Sequence, residues 1–465
     1  MPLILGAQSA VGAAELVTNS CRFDGSSAYM HKTPSTGDRR KWTLSFWVKL
    51  GAIAGSRAVF GSPSDGSNYN EIWFQEGVFR FDQQTGGSPV ASLVTDSHFK
   101  DPAAWYHIVC VWDSDNAAAG DRMKMYINGV EETSFATDTN PALNLDSYVN
   151  SSSYPFEVGA MNTGEYFGGY LAEVVFLDGT AASSTSFGEF DSDSPTIWKP
   201  IDVSGLTFGT NGFYLDFEDS ANLGNDANGG TDFTEVNLAA TDQCTDTPVN
   251  NFSTGSPLLR YAYPGSITIS EGNTKITDGG SADSGLMSTL GVSAGKWYVE
   301  FKRDTITNSY IGVCGASQIN ETAYSQYIGG TTFGVGLKND GNIYVNTSSS
   351  SFSGTYTNGD VISVALDMDN DKVYFAKDGA WATGSGAWDS TTFDAAVGAQ
   401  AISTGDDTYV FGCTVNTAAT SSNYGNPNYA LTSAEADGNG YGNFEYAPPS
   451  GYLALCTKNL GSDGG

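Results

Sequence analysis

The stretch Trp42-Thr-Leu-Ser-Phe-Trp-Val-Lys-Leu50 decides the fold, since its apolar side chains recur at every second position. The same alternation returns far along the chain in Lys296-Trp-Tyr-Val-Glu-Phe-Lys-Arg303. A period of two is typical of a β-strand that has one face in a core and the other face in water. The two stretches therefore predict two separate β-sheet bodies.

The length and composition agree with an all-β chain of this kind. A chain of 465 residues corresponds to about two or three domains. Its 40% hydrophobic and 12% aromatic residues supply enough material for packed cores. No stretch of ordinary helix length shows the helical period, and turn pairs such as Asn128-Gly129 separate the apolar runs. We expect two antiparallel β-sandwiches in tandem.

The charge balance excludes several classes of partner. The chain has 21 Lys and Arg residues against 52 Asp and Glu residues, a formal net charge of −31. Nucleic-acid binding and binding to anionic membranes both need concentrated cations, so we expect neither. No apolar run is long enough to insert into a bilayer. The acidity favours solubility.

The acidic loops suggest calcium as a cofactor, and the sequence makes no cofactor certain. The segment Asp219–Asp232 mixes Asp with Asn and Gly, which makes it the better candidate for Ca²⁺. The segment Asp367–Asp371 resembles an EF-hand loop only superficially, because Lys372 stands where that loop requires glycine. We interpret it as a solvated hairpin turn.

The texture of the sequence divides the chain into four parts. Residues 1–20 form an apolar N-terminal docking segment, and residues 21–209 form the first sandwich. Residues 210–264 are rich in Asp, Asn, Gly and Thr and hold one predicted strand, so we interpret them as a polar connector. Residues 265–465 form the second sandwich. The six cysteines are scattered without CxxC pairs, and Cys110 lies in an apolar run that predicts an ordinary buried side chain.

The first body resembles the laminin-G-like, concanavalin A-type sandwich. The matching stretches are Cys21-Arg-Phe-Asp-Gly25, Trp42-Thr-Leu-Ser-Phe-Trp47, Trp105-Tyr-His-Ile-Val109, Met125-Tyr-Ile-Asn-Gly129 and Phe167-Gly-Gly-Tyr-Leu-Ala-Glu-Val174. The resemblance implies a curved antiparallel sandwich that often binds glycans or proteins at its loop rim, sometimes with calcium.

The second body resembles a SPRY domain. The matching stretches are Gly295-Lys-Trp-Tyr-Val-Glu-Phe301, Tyr310-Ile-Gly-Val313, Asp360-Val-Ile-Ser-Val-Ala-Leu-Asp367 and Val373-Tyr-Phe-Ala-Lys-Asp-Gly379. The resemblance implies a binding module without catalysis.

The whole chain is similar to tandem proteins of tailed bacteriophages. The similarity lies in Met1-Pro-Leu-Ile-Leu-Gly6, Phe187-Gly-Glu-Phe-Asp191, Gly212-Phe-Tyr-Leu-Asp-Phe217 and Asp246-Thr-Pro-Val-Asn-Asn-Phe252. It implies a virion protein, made in the host cytoplasm and exposed on a fibre or capsid, that attaches to a host-surface glycan or protein. Other virion proteins and further copies of the chain, as in a trimer, are the expected partners. The apolar residues Leu3, Ile4 and Leu5 are the candidate anchor.

Two alternatives stay open beside this hypothesis. One is a capsid decoration protein without a host receptor, and the other is a glycan-degrading hydrolase of the concanavalin A type. The hydrolase needs paired carboxylates, for which Glu71 and Glu76 are the nearest match. Trp73 stands where the central Asp belongs, and the odd spacing places the two carboxylates on opposite faces of a regular strand. His107 lies in an apolar strand, which predicts a structural imidazole, so we expect no enzyme.

Aromatic residues in loops are the candidate ligand contacts, because flat rings stack on sugar faces and anchor interfaces. The candidates are Tyr69, Trp73, Tyr166 and Phe167 in the first body, and Trp381 and Trp388 in the second. The two tryptophans are the best of them, because their loop is otherwise polar.

Overall fold

The computed structural model describes residues 17–51, 53–261, 267–280, 282–319 and 326–461. The chain divides into two compact units, one ending at Val249 and the other beginning at Asn250. Strands make up 47% of the structure and helices 4%, which confirms the predicted all-β fold.

The first unit consists of strands and short 3₁₀ turns. Its strands are β1 (Ser20–Asp24), β2 (Tyr29–Lys32), β3 (Lys41–Leu50), β4 (Ser56–Asp65), β5 (Asn68–Gln75), β6 (Val78–Thr85), β7 (Ser88–His98), β8 (Trp105–Asp113), β9 (Met123–Ile127), β10 (Val130–Glu131), β11 (Phe135–Thr139), β12 (Phe156–Val158), β13 (Gly168–Asp178), β14 (Gly188–Phe190), β15 (Trp198–Pro200), β16 (Phe213–Leu215), β17 (Thr234–Val236) and β18 (Gln243–Cys244). The 3₁₀ turns are Ala119–Asp121, Ser184–Ser186 and Ala240–Asp242.

These strands form two sheets and a separate hairpin. Sheet A has the order β10-β9-β8-β3-β13-β1-β18, with β16 beside β13. Sheet B has the order β11-β7-β6-β5-β4-β12-β2-β17, and β14 pairs with β15 alone. The main core takes buried side chains from both sheets, among them Trp42, Phe46, Trp112 and Phe176 of sheet A and Phe60, Ile72 and Phe81 of sheet B. The unit is therefore a sandwich.

The turn at Asn128-Gly129 shows how closely local sequence fixes one hairpin. Both residues have positive φ, +48° and +85°, as a tight turn between β9 and β10 requires. A Cβ at Gly129 would also overlap the indole of Trp198. Glycine is needed there for its backbone conformation and for the close approach.

Strand β3 departs from the prediction that one of its faces is wet. Ser45 and Lys49, on the face turned away from the main core, are each at most 1% exposed. A second apolar cluster, which contains Trp47 of β3, Trp198 of β15 and Val249, covers this face. Both faces of β3 are therefore buried. One face lies in the main core, and the other lies under additional chain that packs on the outer side of sheet A.

A buried ion pair holds part of this covering chain. Lys49 Nζ lies 2.7 Å from Asp246 Oδ2, and both side chains are 1% exposed. The indole Nε1 of Trp105 donates to Asp246 Oδ1 at 3.1 Å, and the hydroxyl of Ser20 donates to the Asp246 carbonyl at 2.6 Å. We call this arrangement the Asp246 clasp.

The segment predicted as a polar connector differs from its prediction. Strands β16, β17 and β18 of this segment pair with β13, β2 and β1. Phe213, Phe217 and Phe233 enter the main core of the first unit. Scattered apolar residues among many polar ones can complete an existing core although they are too few to form their own. The described structure divides the chain at Val249 and Asn250, inside the predicted connector.

The second unit is also built from strands. They are β19 (Gly255–Tyr261), β20 (Ile267–Ser270), β21 (Lys275–Asp278), β22 (Ser284–Ser288), β23 (Lys296–Thr305), β24 (Asn308–Gly315), β25 (Gly334–Lys338), β26 (Asn342–Val345), β27 (Ser348–Ser351), β28 (Val361–Asp367), β29 (Lys372–Lys377), β30 (Ala380–Ala382), β31 (Trp388–Ser390), β32 (Gln400–Ala401), β33 (Tyr409–Asn416), β34 (Ala418–Asn423) and β35 (Leu453–Ala454). A 3₁₀ turn spans Ala316–Gln318, and helix α1 spans Thr457–Leu460.

Two sheets again enclose a core. Sheet C has the order β19-β22-β33-β24-β25-β26-β27. Sheet D has the order β20-β21-β34-β23-β28-β29-β30-β31, with β32 beside β29 and β35 beside β23. The core contains Trp297, Val299 and Phe301 of β23, as their alternation predicted. Asp367–Asp371 turns β28 into β29, with Asn370 donating to Asp367, so the predicted hairpin turn is confirmed.

The outer face of β23 is buried as well, against expectation. Glu300 is 0% exposed and accepts hydrogen bonds from the backbone N–H groups of Glu445 and Tyr446, each at 2.8 Å. Burial raises the pKa of the Glu300 carboxyl to about 7 although these hydrogen bonds oppose the shift. The C-terminal chain covers sheet D here, and Glu300 holds it in place.

Candidate functional site

A row of polar side chains crosses the outer face of sheet B. The strand register places Asp82 beside Glu71, Glu71 beside Gly61, and Gly61 beside Glu157. Glu157 is in turn the partner of His31 on β2. On β5 the alternate residue Ile72 points into the core, so Glu71 points to the other side. Four neighbouring strands and β2 thus present three carboxylates and an imidazole on one face.

The predicted aromatic contacts of the first unit gather around this row. Tyr69 and Trp73 precede and follow Glu71 by two positions on β5 and therefore share its face. Tyr166 reaches the same place from a loop, because Ala58 pairs with Trp73 in the β4–β5 ladder and forms an isolated bridge with Tyr166. The structure places these three predicted residues on one face of sheet B, where the ring of Tyr166 contacts that of Tyr29 on β2 with centroids 6.1 Å apart.

The ring of Trp73 is already held by charged neighbours. The guanidinium of Arg80 lies 4.8 Å from its centroid. The indole Nε1 donates to Asp82 Oδ2 at 2.9 Å, and Arg80 Nε donates to the same oxygen at 3.1 Å. Trp73 is a fixed platform whose one face is covered by Arg80.

The loop that carries Tyr166 lies tightly on the sheet. The backbone N–H of Asn162 donates to Glu157 Oε2 at 2.6 Å, and the Tyr166 hydroxyl donates to the Thr163 carbonyl at 2.8 Å. A Cβ at Gly61 would lie 2.5 Å from the sulfur of Met161, so glycine is what lets the loop approach β4. We call residues 161–166 the cover loop.

Glu71 joins the cover loop through a pair of carboxyl groups. Burial raises the pKa of Glu71 to about 10, and the hydrogen bond with Glu165 and the charge of Glu165 add to the shift. The carboxyl group of Glu71 therefore keeps its proton at neutral pH and donates it in the hydrogen bond to Glu165. A retaining glycosidase separates its two carboxyl groups by about 5–5.5 Å, wider than a hydrogen-bonded pair.

Glu76 does not join this pair. It lies in the turn between β5 and β6 with φ +51°, and its Oε1 accepts the backbone N–H of Gly55 at 2.8 Å. Glu76 is therefore not on the strand that carries Glu71, so the predicted placement of the two carboxylates on opposite faces of one strand does not apply.

Phe167 requires a correction. It is 0% exposed and packs edge-on against Phe23, with the ring centroids 5.9 Å apart. Its side chain points into the main core one position after Tyr166, so it is not available to a ligand. Adjacent aromatic residues at the end of a loop alternate between the surface and the core.

His107 forms a contact with Ser45 that superficially resembles a nucleophile and base. Its Nε2 lies 2.9 Å from Ser45 Oγ, and the indole of Trp198 donates to its Nδ1 at 3.0 Å. Because Nδ1 accepts, the neutral ring carries its proton on Nε2 and donates to Ser45. Burial lowers the pKa of His107 to about 3. The imidazole is structural, as the sequence predicted, and cannot take the serine proton.

The acidic loop proposed for calcium uses its carboxylates within the chain. Asp226 Oδ2 lies 3.4 Å from Lys32 Nζ, and Asp226 Oδ1 accepts the backbone N–H of Tyr214 at 3.0 Å. Asp232 accepts the backbone N–H of Asp226 at 3.0 Å. Within the part of the chain that the structure describes, no group of three or more His, Cys, Asp or Glu side chains is arranged to hold a metal ion.

The two tryptophans of the second unit point to opposite sides of the hairpin formed by β30 and β31. Trp388 is the register partner of Ala382 and packs against the core of the unit, with its Nε1 donating to the Thr355 carbonyl at 3.2 Å. Trp381 is the partner of Ser390 and lines a cavity of about 120 Å³. Of the two predicted contacts, the geometry favours Trp381.

Sequence reasoning missed several residues of both sites. Arg80, Asp82 and Glu165 complete the sheet B face, and Tyr374 and Phe393 line the cavity beside Trp381. The alternation of Phe79 and Phe81 with Arg80 and Asp82 was a usable signal for the first two. The position of Glu165 depends on the fold of the cover loop. The anchor residues Leu3, Ile4 and Leu5 lie outside the described residues.

Comparison with known proteins agrees with this architecture. Residues 24–185 match the family described as the concanavalin A-like lectin/glucanases superfamily, and residues 296–404 match the SPRY domain family. No curated protein matches the chain. Within the described residues, no helix combines the length and the hydropathy needed to cross a membrane.

Solved structures resemble the chain over parts of its length. The SPRY domain of human HERC1 is 16% identical, covers 36% of this chain and 96% of its own, and has a TM-score of 0.27. A heptameric SAP-like pentraxin from Limulus polyphemus is 16% identical, covers 37% of this chain and 80% of its own, and has a TM-score of 0.29. A candidate carbohydrate-binding protein from Bacteroides ovatus ATCC 8483 is 14% identical, covers 48% of this chain and 60% of its own, and has a TM-score of 0.31. By the two family matches, the chain carries a concanavalin A-like domain followed by a SPRY domain.

Proposed function

We propose that this protein is a bacteriophage virion adhesin that binds a glycan or protein on the host surface. The observation that carries the proposal is the gathering of Tyr69, Trp73 and Tyr166 on one face of sheet B. Aromatic rings present flat apolar surface to sugars, and the partly exposed guanidinium of Arg80 beside Trp73 supplies N–H donors for hydroxyl groups. Two domains of binding-type families agree with this role.

The virion setting rests on the resemblance of the whole chain to tandem proteins of tailed phages. In that setting the protein is made in the host cytoplasm, assembles with other virion proteins and is exposed on the particle. A homo-oligomer, most simply a trimer on a fibre, multiplies weak single-site contacts into firm attachment. The apolar segment at Leu3–Leu5 is its proposed anchor.

Binding of the fluorescently labelled full chain to intact bacterial cells and to a panel of bacterial surface polysaccharides tests the proposal. We expect saturable labelling that Trp73→Ala and Tyr166→Ala each reduce at least tenfold, because each removes a ring from the face. Phe190→Ala is the control, since Phe190 is an exposed aromatic residue on β14, outside this face.

The outcome separates the alternatives. Labelling of purified capsids without labelling of any cell or polysaccharide would replace the adhesin with a decoration protein. Release of oligosaccharide ends that Glu71→Gln abolishes would replace it with a hydrolase. Cell labelling that neither aromatic substitution changes would remove the sheet B face from the proposal.

A further inference from the structure

The second unit contains a small cavity whose lining residues favour one class of ligand. It is lined by Tyr374 of β29, Trp381 and Ala382 of β30, Ser390 of β31, and Thr383, Thr392, Phe393, Asp394 and Val397 of the adjoining chain. Residues 391–399 close it, and the close approach of Gly398, with φ +71°, to the Ala382 carbonyl fixes this closing segment. Val397 is 39% exposed, so the cavity has an open side.

The cavity accepts a single chemical group. Its volume is about 120 Å³, whereas pockets for small-molecule ligands typically enclose about 300–1,000 Å³. An oligosaccharide does not fit within it. One terminal group of a larger ligand is the right size.

The aromatic rings of the cavity meet at right angles. Phe393 contacts Trp381 with centroids 4.9 Å apart and planes at 72°, and Tyr374 with centroids 5.0 Å apart and planes at 73°. A sugar needs one wide ring face, while perpendicular rings form a corner around a compact group. The negative potential of ring faces favours a cation in such a corner.

The charges around the cavity favour the same ligand. Asp394 supplies a carboxylate at the rim, and among the described residues that line the cavity none is Lys, Arg or His. The chain as a whole carries a formal net charge of −31. An anionic group is repelled and a cation attracted.

The same aromatic cluster already receives one ammonium group. Lys296 Nζ lies 5.8 Å from the centroid of Tyr452, which packs edge-on against Phe393 at 5.3 Å. That ammonium is also 3.1 Å from the carboxylate of Asp367. An aromatic face combined with a carboxylate is thus an arrangement this unit already uses to hold a cation.

We infer that the cavity at Trp381 binds an alkylammonium group. The group is either the side-chain end of a lysine on a partner protein or the trimethylammonium end of a choline headgroup, which share the chemistry. The inference goes beyond the proposed function, because it assigns a second binding site, in the SPRY domain, with its own ligand class.

Titration of the full chain, followed by calorimetry and by the indole N–H signals in NMR, tests the inference. The probes are choline, Nα-acetyl-lysine amide and 3,3-dimethyl-1-butanol, the neutral analogue of choline. We expect choline or the lysine amide to bind saturably in the millimolar range, at least tenfold more tightly than the neutral analogue. Whichever cation binds more tightly identifies the source of the ligand. Equal binding of the neutral analogue, or no binding of either cation, overturns the inference.

Matched substitutions in one hairpin locate the site. Trp381→Phe weakens cation binding severalfold and Trp381→Leu at least tenfold, whereas Trp388→Phe leaves it unchanged because Trp388 faces the core. Asp394→Asn weakens the cation and leaves the neutral analogue unaffected. Unchanged affinity in folded Trp381→Leu protein overturns the assignment. Cell labelling that depends on Tyr166 stands or falls separately, so failure here leaves the proposed function intact.

Discussion

Glu71 has a different partner in the structure from the one that its sequence spacing suggests. Its spacing from Glu76 raised the question of catalysis, yet its structural partner is Glu165 in the cover loop. Sequence spacing reports only neighbours along a strand, whereas the approach of Glu165 depends on how a distant loop folds over sheet B. Tyr69 and Trp73 were predicted as loop aromatics but lie on β5, where the period of two places both on the face of Glu71.

The proton that buried Glu71 retains makes the stability of the fold depend on pH. The carboxyl of Glu71 has a pKa of about 10 in the folded chain against 4.5 as its ordinary value. Between these values the unfolded chain has lost a proton that the folded chain keeps, so stability falls as pH rises from about 4.5 toward 10, by up to about 1.4 kcal/mol per pH unit. Glu71→Gln keeps a donor to Glu165 without this cost. We expect equal melting temperatures at pH 4 and a more stable variant at pH 8.

Thermal unfolding of both proteins from pH 4 to pH 9 measures this effect. Glu76→Gln, in the exposed turn, serves as the control substitution. A constant difference between wild type and Glu71→Gln at every pH would contradict the raised pKa of Glu71.

At the scale of elements, the strands were predictable from the sequence, whereas the chain segments that cover the outer faces of the sheets were not. The alternation in Trp42–Leu50 correctly predicted β3, and Asn128-Gly129 correctly predicted its turn. The burial of the second face of β3 was not predictable, because the covering strands β14 and β15 are only three residues long and the Asp246 clasp lies in a polar stretch of sequence. A similar reason explains the burial of Glu300, because two of its partners are backbone N–H groups of irregular chain far along the sequence.

The Asp246 clasp predicts a large loss of unfolding free energy when one member of the ion pair is removed. Asp246→Ala leaves the ammonium of Lys49 buried without its carboxylate, so we expect the first unit to lose about 3–5 kcal/mol of unfolding free energy. The double substitution Lys49→Met with Asp246→Leu removes both charges and is expected to be milder. Scanning calorimetry of the full chain measures both. A double variant as unstable as the single one would show that packing, and not the loss of the carboxylate beside the buried ammonium, sets the cost.

At the scale of the whole molecule, all six cysteines are free and buried. Burial raises the pKa of the Cys21 and Cys110 thiols well above its usual range, so the reactive thiolate is scarce as well as inaccessible. The prediction that Cys110 is an ordinary buried residue is confirmed.

Titration with a thiol reagent tests this arrangement. We expect the native chain to show almost no reaction with Ellman's reagent at neutral pH, and the chain in guanidinium chloride to show six equivalents. Fewer than six equivalents after unfolding would indicate disulfides. Rapid reaction of the native chain would indicate an exposed thiol.

The Asp246 clasp also has a mechanical consequence. Tension applied to the peptide leaving the first unit at Val249 reaches Asp246 before it reaches any strand inside the sandwich. We expect the ion pair with Lys49 and the short β18–β1 ladder to break first. The chain then lengthens at this end of the unit while the two main sheets remain packed together. In the proposed adhesin, a pulling force at this junction would therefore extend the edge of the first unit before sheet B, with its candidate binding face, is disturbed.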